Sequence, residues 1–386
     1  MRDRVKLAFV LSHACPLECN FCCSTRDVVG SQRLRRDTIE QCLIAFANEP
    51  ALLDFGFTGG DPFLYLADIK AAVAAARRAG VTQPFQVTTS GYWAKDDADV
   101  RATLTELRDL GLDRLMLSYD HEHAKWVSPE QIRRICDVAE ALGIDITMSA
   151  TFWSVDEELS DLLPDIVARP NIKVMTHTVS PMGRARKTAA WPRRYDLPIE
   201  SKLSCGMPGE YLFSVYPDGE VYPCCSGGFQ IEGRLSCGNI HRDTPASIIY
   251  AGLTNFHVRL AKEFGWGVLY ALVEREAPEL VAELPRFDER DSTCEICRDV
   301  NLDLGARLAP IYDLIEREYA RARAGREWRS LDPSGGVRAV GAQRLSLDAF
   351  QAMIDRDPSR RRDYLAGVLQ LSAAQGLPET RAARSA

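Results

Sequence analysis

The sequence predicts an α/β protein: six β/α units curling into a partial (β/α)6 barrel, then a small β-hairpin/helix domain and a helical C-terminal extension. Three observations point there. Up to about residue 180 of 386, short apolar runs alternate with longer amphipathic stretches, as in strands joined by crossover helices. The apolar runs are near-continuous rather than alternating, as parallel strands covered on both faces require. The pattern then breaks at residues 184–200, a stretch rich in Arg and Pro that carries neither period.

The predicted strands are "VKLAFVLS" (5–12), "LLDFGFTG" (52–59), "PFQVTTS" (84–90), "LDRLMLSYD" (112–120), "IDITMSATF" (144–152) and "IKVMTHTVS" (172–180). Helices are expected near 32–48, 63–80, 96–110, 128–142 and 156–168, where apolar residues recur at three- and four-residue steps; Gly80 suits the end of the second. Successive right-handed connections of this kind wind around one sheet. Six units make an incomplete, TIM-like barrel, assigned to residues 1–183. A linker covers 184–204 and the second domain 205–300. That domain opens with "YLFSVYPDGEVYPCC", a hairpin whose turn is Pro217-Asp218-Gly219. The extension, 301–386, holds helical pieces at 303–326 and about 346–375, broken by "DPSGG", and a frayed tail.

Composition narrows the function. Hydrophobic content of 46% and charged content of 26% are those of a globular protein. A net charge of −7 argues against a nucleic-acid partner. Residues 321–386 carry twelve Arg against seven Asp or Glu, which reads as solvated helix surface. No run of about 18 apolar residues is present, so no membrane span is expected. The N-terminal apolar run is too short for a signal peptide, and a cytoplasmic location follows. Twelve cysteines in such a protein suggest metal or catalysis before disulfides. Cys42 and Cys136 sit in helical apolar patterns and are expected in the core.

Cys15, Cys19 and Cys22 fall in the loop after the first strand, spaced C-x₃-C-x₂-C. Loops at the carboxyl ends of barrel strands build active sites. A four-iron cluster takes one thiolate per iron, so three leave one iron open for a ligand. Structural zinc is the alternative and would need a fourth ligand, with Cys23 or His13 in reach along the sequence.

The loop resembles the signature of the radical S-adenosylmethionine (SAM) superfamily, with Phe21 at its aromatic position. Further matches follow in order: "TGGDP" (58–62) is similar to the G-G-E-P segment, "TTSGY" (88–92) stands where T-N-G is common, and "SYD" (118–120) resembles S-x-D. The resemblance implies SAM contacts from Phe21, Gly59, Gly60, Asp61, Ser90, Ser118 and Asp120, with Asp61 replacing Glu and Ser90 replacing Asn. Taken singly, Gly59-Gly60 also fits a plain tight turn, and Ser118 and Asp120 fit helix capping.

Cys205, Cys224, Cys294 and Cys297 form the other group, around the hairpin and at a downstream C-x₂-C. Four ligands suit zinc as well as a four-iron cluster. The arrangement is similar to the twitch domain, a shortened SPASM domain, which implies one auxiliary cluster; "CGNI" (237–240) and "PMGRA" (181–185) resemble flanking segments, and the latter puts Met182 near adenine. The cofactors implied are SAM and two [4Fe-4S] clusters, with a flavodoxin or ferredoxin as reductant.

The resemblance implies reductive cleavage of SAM to a 5′-deoxyadenosyl radical that takes hydrogen from an unactivated C–H bond. Asp120 is a candidate base for an oxidative outcome. Cys225 and Cys237, the thiols left over, are candidate hydrogen donors for epimerisation, with plain packing as the alternative. His121, His123, Trp93 and Trp153 lie near strand ends. The substrate expected is a ribosomally made peptide, undergoing cross-linking, dehydrogenation or epimerisation. An aminoglycoside or other sugar-derived molecule is the alternative, because no peptide-recognition domain is expected ahead of residue 5. A non-catalytic zinc-binding interaction protein is the third reading.

Overall fold

The computed structural model describes residues 4–23, 32–154, 156–179, 182–185, 205, 210–225, 235–259, 261–262, 266–286, 290, 292–304, 306–311 and 313. Six strands run parallel: β1 (Arg4–Val10), β2 (Leu52–Thr58), β3 (Phe85–Thr89), β4 (Leu112–Ser118), β5 (Asp145–Phe152) and β6 (Ile172–Thr178). Each joins its sequence neighbour, so their carboxyl ends share one rim. Helices α1 (Arg36–Phe46), α2 (Leu66–Arg78), α3 (Asp97–Asp109), α4 (Pro129–Leu142) and the short α5 (Pro164–Val167) connect them. This is the α/β partial-barrel class that the sequence predicts.

Local chemistry explains the boundaries. Ser128 and Gln131 form a reciprocal capping box at the start of α4, Pro129 occupies its first turn, and Gly143 ends it in the left-handed conformation at φ +69°. The helix expected over 156–168 shrinks to two short pieces, Leu159–Asp161 and Pro164–Val167. Pro164 lacks the amide a continuing helix would need, and Pro170 stands just beyond. Cys42 and Cys136 are buried on α1 and α4, as their periodicity implies.

The sheet does not stop at the expected domain boundary. Strand β7 (Glu210–Val215) pairs parallel with the free side of β1, from Arg4↔Glu210 to Phe9↔Val215. Strands β8 (Glu220–Tyr222) and β9 (Gly238–Asn239) follow antiparallel, giving the order β6-β5-β4-β3-β2-β1-β7-β8-β9. Strand β1 is too apolar to be an edge: Val5, Leu7 and Phe9 are fully buried, and an exposed apolar edge invites mispairing. The hairpin therefore continues the sheet. Gly219, at φ +86°, makes its turn, and Asn239 of "CGNI" locks that turn by donating to the Asp218 carbonyl at 3.1 Å.

Beyond it lie α6 (Pro245–Thr254), α7 (Phe256–Arg259), α8 (Trp266–Glu276) and α9 (Thr293–Arg298). The main core surrounds the sheet; a second, centred on Trp266, Leu269, Val273, Ile296 and Val300, packs against Cys205 and Cys297. Nearly all of the 184–204 linker and of the C-terminal helices expected after 303 lies outside the described residues. Among those described, no helix is long and apolar enough to cross a membrane.

Candidate active site and metal centres

The cysteine loop leaves β1 and is gripped by the neighbouring strand ends. From the β2 end, Gly60 N–H donates to the Ser12 carbonyl at 2.7 Å and Asp61 N–H to the Ala14 carbonyl at 2.9 Å. A Cβ on Gly60 would run into the Ala14 carbonyl, and one on Gly59, at φ +139°, into that of Ser12. Only glycine permits this approach. Beyond β6, Arg184 donates its amide to the Cys22 carbonyl at 3.0 Å and its guanidinium to the Cys19 carbonyl at 3.3 Å. From the β4 end, Glu122 accepts the Asn20 amide at 3.1 Å.

The three thiols of this loop lie close enough to repel one another's ionisation. Burial chiefly, then Asp61, Cys22 and Cys19, pushes Cys15 up to about 12, against a Leu17 amide that donates to its sulfur at 3.4 Å. Without a metal the group stays protonated; a bound cation would displace the proton. Among the described residues, no three His, Cys, Asp or Glu side chains converge closely enough for a single ion. His13 stacks on Tyr216, ring centres 6.0 Å apart, and Cys23 is coupled to Cys225 as well as to Cys22. The donor set fits a polynuclear centre with an open corner better than one zinc.

Asp61 is buried, and its carboxylate is spent inside the protein. It accepts from the Phe63 amide at 3.0 Å, the Thr89 hydroxyl at 3.0 Å, and the Ser90 amide and hydroxyl at 2.9 and 2.7 Å. Burial raises its pKa and these bonds oppose the rise. Asp61 thus ties the β2 end to the β3 end, and the Ser90 hydroxyl serves that clamp. Asp120 is similar. It is fully buried, takes the Glu122 and His123 amides and the His123 ring on one oxygen, and the Thr151 amide of β5 on the other. Asp120 thereby braces β4 against β5. Ser118 ends β4 opposite Ser149, half-buried. Phe21 is half-buried, its ring 5.8 Å from His123 and 6.2 Å from Trp153.

The second group assembles from distant segments. Cys205, Cys224, Cys294 and Cys297 all line one cavity of about 510 Å³, open mouth included. Cys294 and Cys297 sit one turn apart on α9, hence on one face. Burial, then Cys224 and Cys205, raises the Cys297 pKa strongly. Asn301, one turn further on, donates to the Cys297 sulfur at 3.5 Å. Lys262 lines the cavity too, buried, with Nζ on the Cys205 and Glu210 carbonyls at 3.4 and 3.2 Å. Four thiols, an amide donor and a buried cation suit an anionic cluster.

Met182 is buried and lines this second cavity. Cys237 is buried in the main core; a Cβ on Gly252 would stand 2.9 Å from its sulfur and run into the Phe213 ring. It packs within that core. Cys225 is exposed beside Cys224, and its charge is felt by Cys23 and Tyr216. The sequence reading missed Thr89, Glu122, Lys262 and Asn301. Only Glu122 left a trace, in the unusual density of ionisable residues in "DHEH".

Residues 9–152 match the radical SAM superfamily. Over those residues the barrel is similar to a radical SAM domain, a family that implies SAM and a [4Fe-4S] cluster. Among individual relatives, the chain is 25% identical over 226 residues to "Putative peptide biosynthesis protein YydG" of Bacillus subtilis (strain 168), a match covering 56% of this chain and 67% of that one. Among solved structures, "Native anSMEcpe with bound AdoMet and Cp18Cys peptide" aligns at 15% identity and TM-score 0.50, over 81% of this chain and 100% of that one. "Crystal structure of BtrN in complex with AdoMet and 2-DOIA" aligns at 14% identity and TM-score 0.39, over 68% and 88%. At such identities structural likeness concerns the fold alone.

Proposed function

We propose that this protein is a radical SAM enzyme that epimerises residues of a ribosomally made peptide, with Cys225 returning the hydrogen. Cys15, Cys19 and Cys22 hold three irons of a [4Fe-4S] cluster and leave the fourth for SAM, while Cys205, Cys224, Cys294 and Cys297 hold an auxiliary cluster in a twitch-type domain. When bound, SAM and the first cluster supply one-electron cleavage to a 5′-deoxyadenosyl radical that abstracts hydrogen. The backbone of Gly59 and Gly60 forms the floor against which SAM is seated. Asp61 keeps that floor rigid, clamped by Thr89 and Ser90.

The single observation that carries the reaction type is the placement of Cys225. It is the exposed thiol, next to Cys224 of the second set and within electrostatic reach of Cys23 beside the first. A substrate carbon radical meeting it takes the S–H hydrogen on the face opposite the abstraction; the C–H bond forms, and a thiyl remains. One electron and one proton would restore the thiol; Cys205, Cys224, Cys294 and Cys297, which line one cavity, would hold the redox group that supplies the electron. A peptide substrate is supported by the likeness to YydG, whose description concerns peptide biosynthesis.

Replacing Cys225 by Ala tests the proposal. In deuterated buffer the intact enzyme is expected to place one solvent deuterium at the inverted carbon. The Cys225→Ala variant should still cleave SAM yet leave no inverted, deuterated centre. Full inversion without Cys225 would refute the assignment, and an unsaturated or cross-linked product from intact enzyme would put oxidation in its place.

A further inference from the structure

One short segment after β6 touches both cysteine sites. Met182 is buried and lines the cavity of Cys205, Cys224, Cys294 and Cys297. The next two residues lie against the first loop. Gly183, at φ +58°, comes so close that a Cβ there would run into the Cys22 carbonyl oxygen and stand 2.8 Å from the Cys23 Cα. Arg184 donates its amide to the Cys22 carbonyl at 3.0 Å and its guanidinium to the Cys19 carbonyl at 3.3 Å. Ala185 is buried in its turn.

Cys19 and Cys22 are the two ends of one turn, closed where Cys22 N–H donates to the Cys19 carbonyl at 3.2 Å. Glu122 accepts the Asn20 amide inside the same turn at 3.1 Å. Arg184 alone holds both end carbonyls, and so bears on the spacing of the two thiols. A guanidinium keeps its charge at every working pH, so this hold does not depend on protonation. Groups that orient metal ligands without touching the metal are worth about 10- to 100-fold in affinity or activity. We propose that Arg184 is a positioning residue for the Cys19–Cys22 turn, and that the segment Met182–Ala185 ties this turn to the second cysteine cavity. The hold itself is a matter of hydrogen bonds to the backbone. Its consequence for iron rests on the reading of Cys15, Cys19 and Cys22 as cluster ligands.

Hydrogen exchange read by mass spectrometry on full-length, reduced apo-protein tests the hold. Arg184→Ala is expected to speed exchange of the peptide spanning Cys19–Cys22 about tenfold or more, the ratio lost with a hydrogen bond to a charged group, while peptides of α4 keep their rates. Arg184→Lys, which keeps a cationic donor, should fall between. Met182→Ala, which alters a wall of the second cavity, should speed the same peptide by a smaller factor. Equal exchange in wild type and Arg184→Ala, or a rise that spreads to α4, would overturn the role of Arg184; no change in Met182→Ala would overturn the tie. Should Arg184→Ala not fold, Arg184→Lys carries the test with a smaller rise, and no rise counts against the role. Anaerobically reconstituted protein then shows the consequence. Under an iron chelator, Arg184→Ala should lose its SAM-responsive electron paramagnetic resonance signal about 10- to 100-fold faster than wild type, the other signal decaying as before. Equal loss in both proteins would overturn the part played in holding the centre. A wild type with no SAM-responsive signal, but with the expected exchange pattern, would sink the ligand reading and leave the hold on the turn standing.

Discussion

The two cysteine sites are built in opposite ways. At the first, three thiols come from one eight-residue stretch, and the work of folding is to hold that stretch still. Strand ends β2, β4 and the segment after β6 each contribute hydrogen bonds to its backbone. At the second, no such stretch exists: Cys205, Cys224 and the α9 pair are brought together only because β7 adds to β1 and the second core closes behind it. The first site is a local motif stabilised by the fold. The second is a product of the fold, and it carries its own buried cation, Lys262.

That difference orders the effects of substitution. Cys15→Ala should remove one cluster outright, lowering iron from about eight to about four per chain and abolishing 5′-deoxyadenosine formation, as colorimetric iron assay and chromatography would show. Cys297→Ala should lose a similar amount of iron yet leave SAM cleavage measurable. If the two variants fail alike, the sites are not independent in assembly. Next in size is Gly60→Ala. Its methyl would displace the Ala14 carbonyl, and misplacing a reactive site by about 1 Å can cost roughly 10²-fold in rate; SAM cleavage should drop by that order while the circular dichroism spectrum is kept. Thr89→Val removes one donor from the buried Asp61 and should cost about 1–3 kcal/mol in a denaturation experiment. Smallest is Cys237→Ala, expected to lose about 1 kcal/mol or less of packing with product unchanged, against the loss of inversion expected for Cys225→Ala.

The same contrast explains what could be read from the sequence. Six strands and the first cysteine loop were legible because period and spacing are local: "VKLAFVLS" and "LDRLMLSYD" place Arg4–Val10 and Leu112–Ser118 within two residues of their ends. The continuity of β7 with β1 was not, since parallel pairing between residues 200 apart leaves no periodic trace. Spacing alone does not separate a motif residue that serves a ligand from one that serves the protein. Asp120 and Ser90 look like site residues by position, yet their hydrogen bonds are made within the chain. His123 was noted for its place near a strand end, but only the geometry sets its ring on Asp120. The short α5 fell to Pro164, a residue visible in the sequence whose effect outweighed the helical period.

The most direct measurement is electron paramagnetic resonance of dithionite-reduced, anaerobically reconstituted protein with and without SAM. A four-iron signal whose g-values shift on adding SAM, and which vanishes in Cys19→Ala while the second signal persists, is the expected result. Protein that binds only zinc, or an iron signal indifferent to SAM, would contradict the claim that the thiol trio leaves an iron open.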